Sequence, residues 1–135
     1  MLMQARIGLV IKVKYSSVFK QDRLELMVVC SNFDPYALED PGTCELMLGY
    51  LPLIVVRWQG GWRVYRNYCP HLGISLNFVP DEFLDSEKNH LICANHGALF
   101  EIEQGHCISG PCVGQKLIAI PCEVSNGQLW VELEQ

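Results

Sequence analysis

Leu53-Ile54-Val55-Val56-Arg57-Trp58-Gln59-Gly60-Gly61-Trp62-Arg63-Val64-Tyr65 decides the fold class. Both halves are rich in β-branched and aromatic residues, which suit a pleated, buried surface. Between them, Gln59-Gly60-Gly61 supplies glycines that can take the positive backbone angles of a tight hairpin. The stretch predicts two antiparallel strands, Leu53 to Trp58 and Trp62 to Tyr65. Toward the C-terminus, Ile118 to Val124 and Gln128 to Leu133 flank Ser125-Asn126-Gly127, and Asn-Gly is a strong two-residue hairpin signal. Toward the N-terminus, Ile7, Leu9, Ile11 and Val13 alternate with Gly8, Val10, Lys12 and Lys14, as a strand with one buried face requires. Leu24, Leu26, Val28 and Cys30 repeat that period.

Helical signals are short. Phe33 to Leu38 and Pro80 to Leu84 can each form a turn or two, and nearby prolines prevent more. Asp81 to Asn89 is crowded with polar residues and reads as an exposed, soft loop. Many short strands with regular turns define an all-β chain, an antiparallel β-sandwich or barrel.

The chain has 135 residues, half of them hydrophobic and 19% charged. At ~150 residues per domain this is one globular domain rather than a multidomain enzyme, and it is too apolar to be disordered. The longest apolar run, Leu48 to Val56, contains Gly49 and Pro52 and stops at Arg57, well short of the ~20 residues a spanning helix needs. Ile7 to Ile11 is too short for a secretory signal and is cut off by Lys12. The expected location is cytoplasmic, without membrane insertion. A net charge of −5 speaks against nucleic acid as a partner, because neutralising phosphates takes a surplus of Lys and Arg. Residues 1–23 carry five basic groups and one acid, leaving five basic and fourteen acidic groups in the rest, a net of −9. An acidic body is soluble and can steer toward a basic partner surface.

Seven cysteines are many for this length, but an odd count in a chain without an export signal argues against a full disulfide framework. Metal or redox chemistry is the alternative, and two cysteines have histidines at very short range. Cys69-Pro70-His71-Leu72-Gly73 and Cys93-Ala94-Asn95-His96-Gly97 each supply one thiolate and one imidazole, with 21 residues between His71 and Cys93. Two tight loops can bring four such groups together, with a glycine after each half allowing a close turn. The set suits two irons, one held by nitrogen and the other by sulfur. Zinc is the other metal reading. Zinc fingers usually pair cysteines in one half and histidines in the other, whereas here each half is mixed.

The pair C-x-H and C-x2-H, each followed by glycine, resembles the Rieske [2Fe–2S] proteins. That resemblance implies a Rieske-type β-sandwich or barrel over residues 1–135, with a small hairpin cluster-binding subdomain at about 66–112. It implies a [2Fe–2S] cluster as cofactor, with His71 and His96 on the outer iron and Cys69 and Cys93 on the inner one. Gly110-Pro111 stands where the family places a proline-containing loop over the cluster, and Asn67 to Leu76 reads like the first cluster loop. The similarity is clear from about Leu53 to Leu133 and weak before Glu45. Respiratory-chain members carry an extra cysteine in each loop that join in a disulfide; the corresponding positions here are Ile74 and Asn95. Those members also place a serine and a tyrosine after the second histidine, whose hydroxyls donate to cluster sulfurs, where this chain has Ala98 and Phe100. Losing both donors lowers the expected potential within a family range of roughly −150 to +300 mV. The chain thus resembles ferredoxins that feed oxygenases.

The implied function is that of a one-electron carrier between a reductase and a terminal oxidoreductase such as an oxygenase, with no catalytic residue of its own. A redox-sensing, regulatory or assembly subunit is the alternative. Oxygenase catalytic subunits add a mononuclear-iron domain, for which this chain has no room and only His90 and His106 to spare. These two are expected to be surface imidazoles. Cys107 and Cys112 flank Gly110-Pro111 and allow either a local disulfide or two free thiols packed beneath the loop. Cys30, Cys44 and Cys122 are expected in the core. Trp58, Trp62 and Tyr65 are read as core or edge packing rather than as a stacking platform for a base. Pro70, Leu72 and Pro111 are expected to form an apolar rim for weak, transient redox docking.

Overall fold

A computed structural model of the chain describes residues 10–14, 25–30 and 33–132. Its strands run in chain order as β1 (Val10–Lys14), β2 (Glu25–Val29), β3 (Gly42–Leu48), β4 (Leu51–Trp58), β5 (Gly61–Arg66), β6 (His90–Ile92), β7 (Leu99–Glu101), β8 (Cys107–Ser109), β9 (Cys122–Ser125) and β10 (Gln128–Glu132). They form three antiparallel sheets, ordered β1-β2-β10-β9, β3-β4-β5 and β6-β7-β8. The all-β expectation holds. Among the described residues the one helical element is a single 3-10 turn, Pro35–Ala37, begun by Asp34, whose carboxylate accepts from the Tyr36 N–H at 3.0 Å.

The β3-β4-β5 sheet is buried on both faces, which explains why Leu53 to Val56 reads as an unbroken apolar run rather than an alternation. Leu53, Val55 and Val64 face one way and pack with Val28, Cys30, Leu129 and Val131 of the four-stranded sheet. Ile54, Val56 and Tyr65 face the other way, into a core shared with Cys69, Leu76, Phe83, Leu91, Cys93 and Phe100. One central sheet thus links a framework sheet to the small region that carries the cysteine and histidine loops.

Both predicted hairpins are present, with type I′ geometry at their two-residue turns. Gln59 and Gly60 have φ of 52° and 79°, and Asn126 and Gly127 have φ of 56° and 74°. In the first turn the positive angles fall on Gln59 and Gly60, while Gly61 already pairs with Trp58. Asp40 accounts for the shift: its two carboxylate oxygens accept from the Gln59 and Gly60 N–H groups at 3.0 and 2.8 Å.

Several expectations need correction or fall outside view. The strand predicted from Ile118 begins at Cys122; before it the chain only touches β5, through Arg66 N–H to Ile118 and Ile120 N–H to Val64. Pro80 to Leu84 forms a turn, not helix. The loop Asp81 to Asn89 is less exposed than predicted, since Phe83 is fully buried and Leu84 bridges to Leu91. Of the alternation from Ile7, only β1 lies within the described residues, and Leu24 and Leu133 lie outside them. Trp62 packs as expected: its indole donates to the Pro35 carbonyl at 3.3 Å, meets the Tyr36 ring edge-on at 5.2 Å, and lies 5.1 Å under the Arg57 guanidinium. Tyr65 is core, its hydroxyl donating to Ile102 O at 2.6 Å. Cys30 and Cys44 are buried, and half-buried Cys122 packs on the same core. Burial, with Cys122 and Cys44 nearby, pushes the Cys30 thiol up to about 12.

Candidate metal centre

The first loop leaves β5 at Arg66 and is held by Asn67, a buried polar residue whose three polar atoms are all engaged. Its N–H donates to Pro52 O at 2.9 Å, its Oδ1 accepts from the Leu76 N–H at 2.8 Å, and its Nδ2 donates to Asn77 Oδ1 at 3.1 Å. The amide therefore spans both ends of the 67–77 loop. Within it, the Cys69 N–H donates to Ile74 O at 2.7 Å and the Gly73 N–H donates to Cys69 O at 2.6 Å.

The second loop connects β6 to β7 and closes in the same way. The Cys93 N–H donates to Ala98 O at 2.9 Å, and the Gly97 N–H donates to Cys93 O at 2.9 Å. Gly73 and Gly97 share a φ of 73°. A residue with a Cβ disfavours this region, so each glycine lets its loop return four residues after the cysteine. The two loops are joined directly by the Ala94 N–H, which donates to Leu76 O at 2.7 Å.

These loops bring the four sequence-predicted donors together in two layers. Cys69 and Cys93 are buried near one another; His71 and His96 are exposed, their rings edge-to-face at 5.1 Å. Burial pushes the Cys69 thiol up; the backbone N–H groups of His71 and Leu72 pull it back, and the Cys93 thiol adds to the rise. Cys69 Sγ thus already has two backbone donors aimed at it. Asn95 Nδ2 lies 4.0 Å from Cys93 Sγ, giving the second sulfur a long side-chain donor. Among the described residues no three His, Cys, Asp or Glu side chains gather on one point as a single ion requires. The donors come as a sulfur pair inside and a nitrogen pair outside, a set that fits a two-iron group with soft and harder ends.

Two further thiols lie beside the site. Cys107 and Cys112 are buried with their sulfurs 3.0 Å apart, and all seven cysteines are free, so the pair is a dithiol rather than the local disulfide also considered. Burial, then the nearby Cys107 and Cys69 thiols, push the Cys112 thiol up to about 12. The Gly110-Pro111 loop packs on the second loop: a Cβ on Gly110 would stand 2.8 Å from Ala98 Cα. Ala98 and Phe100 are both buried and carry no hydroxyl.

The remaining histidines are not ligands of this site. His90 Nδ1 is 3.3 Å from Asp85 Oδ2, and His106 Nδ1 is 3.5 Å from Glu101 Oε1. In each case the carboxylate closes a turn. Asp85 Oδ1 accepts from the Asn89 and His90 N–H groups, and Glu101 Oε1 accepts from the Gln104 and His106 N–H groups. Burial raises both acids, but these donors outweigh it and leave both below the usual carboxylate range. Asn67 and Asp85 escaped the sequence reading, for Asn67 because its partners, Pro52 and Asn77, are local in no simple pattern. A cleft of about 500 Å³ opens between Ala37–Thr43 and Asp81–Lys88, lined by no candidate donor.

Comparison with known proteins agrees with this geometry. The Rieske [2Fe-2S] domain matches residues 27–126. Among curated proteins, none matches in sequence. Among solved structures, the ferredoxin of carbazole 1,9a-dioxygenase from Nocardioides aromaticivorans IC177 is similar with a TM-score of 0.62 at 19% identity, over 76% of this chain and 94% of that one. A chain in the complex of reduced oxygenase and oxidized ferredoxin of carbazole 1,9a-dioxygenase gives 0.60 at 22% identity, over 76% and 90%. The terminal oxygenase of carbazole 1,9a-dioxygenase from Novosphingobium sp. KA1 gives 0.66 at 13% identity, over 98% of this chain and 32% of that one. At such identities these neighbours share a fold. With the domain match spanning most of the chain, and the paired loops built as described, the protein belongs to the Rieske [2Fe-2S] domain family.

Proposed function

We propose that the chain is a one-electron carrier of the Rieske ferredoxin type, taking electrons from a reductase and delivering them to a terminal oxygenase, with no bond chemistry of its own. One observation carries the reading. Two loops of identical hydrogen-bond closure hold two buried thiols near one another and two exposed imidazoles edge-to-face. Cys69 and Cys93 would hold the inner iron and His71 and His96 the outer one, in a cluster-binding subdomain at about 66–112 of a single domain. When bound, a [2Fe–2S] cluster supplies a one-electron couple. The protein residues keep water from the sulfur side by burial, donate N–H groups to it, and leave the imidazole side open. Of the expected apolar rim, Leu72 and Pro111 are exposed while Pro70 is half-buried, and this uncharged surface beside His71 would let a partner approach closely. The similar ferredoxin of a carbazole dioxygenase supports an oxygenase as acceptor.

Seven free thiols suit the reducing cytoplasm, where we place the protein. Among the described residues no helix is long and apolar enough to cross a membrane. The likeness to an oxygenase chain over 98% of this one supports a second reading, a relay domain acting within an oxygenase assembly. Iron and sulfide analysis with EPR of the dithionite-reduced protein tests the centre: two irons, two sulfides and a rhombic signal of average g below the free-electron value are expected. A colourless protein with stoichiometric zinc would refute the proposal. Rapid reduction and reoxidation by a reductase and oxygenase pair would confirm a free carrier, and slow cycling coupled to altered binding would overturn it in favour of a sensor.

A further inference from the structure

Cys107 and Cys112 have no place among the proposed ligands, yet they are placed more tightly than packing requires. Their sulfurs are 3.0 Å apart, on a loop closed at its base by the Cys107 N–H donating to Gln115 O and the Gln115 N–H donating to Cys112 O, both at 2.9 Å. A disulfide needs sulfurs at about 2.05 Å, so bond formation asks for an approach of about 1 Å. The pair lies directly beneath exposed Ser109, Gly110, Pro111 and Val113, so a small reagent reaches it by a local opening of one loop. Cys69, also buried, lies near Cys112 on the inner side.

We propose that Cys107 and Cys112 are a reversible dithiol–disulfide site for low-molecular-weight disulfides. Cys107, the more exposed of the two, loses its proton to solvent and attacks one sulfur of the small disulfide, breaking that S–S bond and releasing one small thiolate. Cys112 then attacks the Cys107 sulfur of the mixed disulfide and releases the second. The protein gives up two electrons and two protons and the small disulfide becomes two small thiols, so the exchange balances. In the dithiol state the Cys112 S–H donates to Cys107 Sγ at 3.0 Å and the Cys107 S–H donates to Ser109 O at 3.3 Å. Bond formation stands independently of any metal.

The test uses the purified holoprotein with glutathione disulfide. After exposure, denaturation and alkylation, the tryptic peptide from Asn89 to Lys116 contains Cys93, Cys107 and Cys112. One label on Cys93 with a loss of two hydrogens, reversed by dithiothreitol, is the expected result. Three labels, or a bond from Cys112 to Cys69, would overturn the site. A disulfide formed in a protein with no iron–sulfur absorption counts against the carrier reading and leaves the thiol site standing.

Discussion

Replacing Gly110 by alanine tests whether the covering loop is seated on the second cysteine–histidine loop. Gly110 has φ of 104°, and its added Cβ would come within 2.8 Å of Ala98 Cα and 3.1 Å of Ala98 Cβ. Ala98 cannot yield easily, because its carbonyl accepts the Cys93 N–H and its side chain is buried. Gly114 is the matching control. It lies in the same loop at φ of 97°, but a Cβ there meets nothing within 4 Å. Both variants carry left-handed strain of about 1–2 kcal/mol, and both gain the same small entropic benefit in the unfolded chain. Gly110→Ala alone adds an overpacking cost of about 1–3 kcal/mol. The difference between them isolates the contact, and in a domain stable by about 5–15 kcal/mol it is readily measured. Urea denaturation of both variants is the assay. Equal stabilities, or a more damaging Gly114→Ala, would refute the seating of the loop on Ala98.

Asp85→Ala is expected to destabilise the fold by about 1–2 kcal/mol at neutral pH, through the loss of an acceptor for two backbone N–H groups. Because the folded-state value of Asp85 is depressed, its contribution is complete above the unfolded carboxylate value of about 3.9 and is lost as pH falls through the folded value. Urea titrations at pH 7 and pH 3 are therefore expected to show the wild-type advantage shrinking in acid, and a constant gap would contradict this. Asn67→Ala leaves the Leu76 N–H without its partner and is expected to cost about 1–3 kcal/mol, with faster cluster loss on dilution into chelator. Ala98→Ser is expected to raise the potential read by protein-film voltammetry; no shift, or a fall, would sink the hydrogen-bond account of tuning.

The parts of the molecule that depend on local chemistry were legible in the chain. Asn126-Gly127 announced a hairpin because few other residues enter positive φ so readily, and the continuous Leu53–Val56 run reflects a strand buried on both faces. The four proposed ligands stood out by spacing. What the chain could not reveal depends on partners far away in sequence. Gln59 accepts a positive φ because Asp40 caps it from 19 residues upstream. Phe83 is buried inside a segment whose composition is that of a solvent loop, because Leu91 and the cysteine loops supply a core for it. Whether Cys107 and Cys112 were bonded or merely in contact was open from spacing alone, since a separation of five residues allows both.

The two ligand loops differ by one residue in the cysteine-to-histidine spacing, yet they close alike, and the reason bears on the potential. In each, the closing bonds run from the residue four after the cysteine and from the cysteine itself, so the extra residue between Cys93 and His96 is absorbed inside an unchanged frame. In the first loop the frame turns the His71 and Leu72 N–H groups toward Cys69 Sγ; in the second, Asn95 turns its amide toward Cys93 Sγ at 4.0 Å. Both sulfurs are therefore supplied with donors by the loops' own residues, one by backbone and the other by a long, weak side-chain contact. The strong hydroxyl donors that characterise high-potential relatives are replaced by the buried carbon of Ala98 and Phe100. With fewer and weaker donors around the buried thiols, the reduced state of a cluster held there would gain less, and its potential is expected in the lower part of the family's range. Protein-film voltammetry checks this, and a potential in the upper part of that range would refute the argument from Ala98 and Phe100.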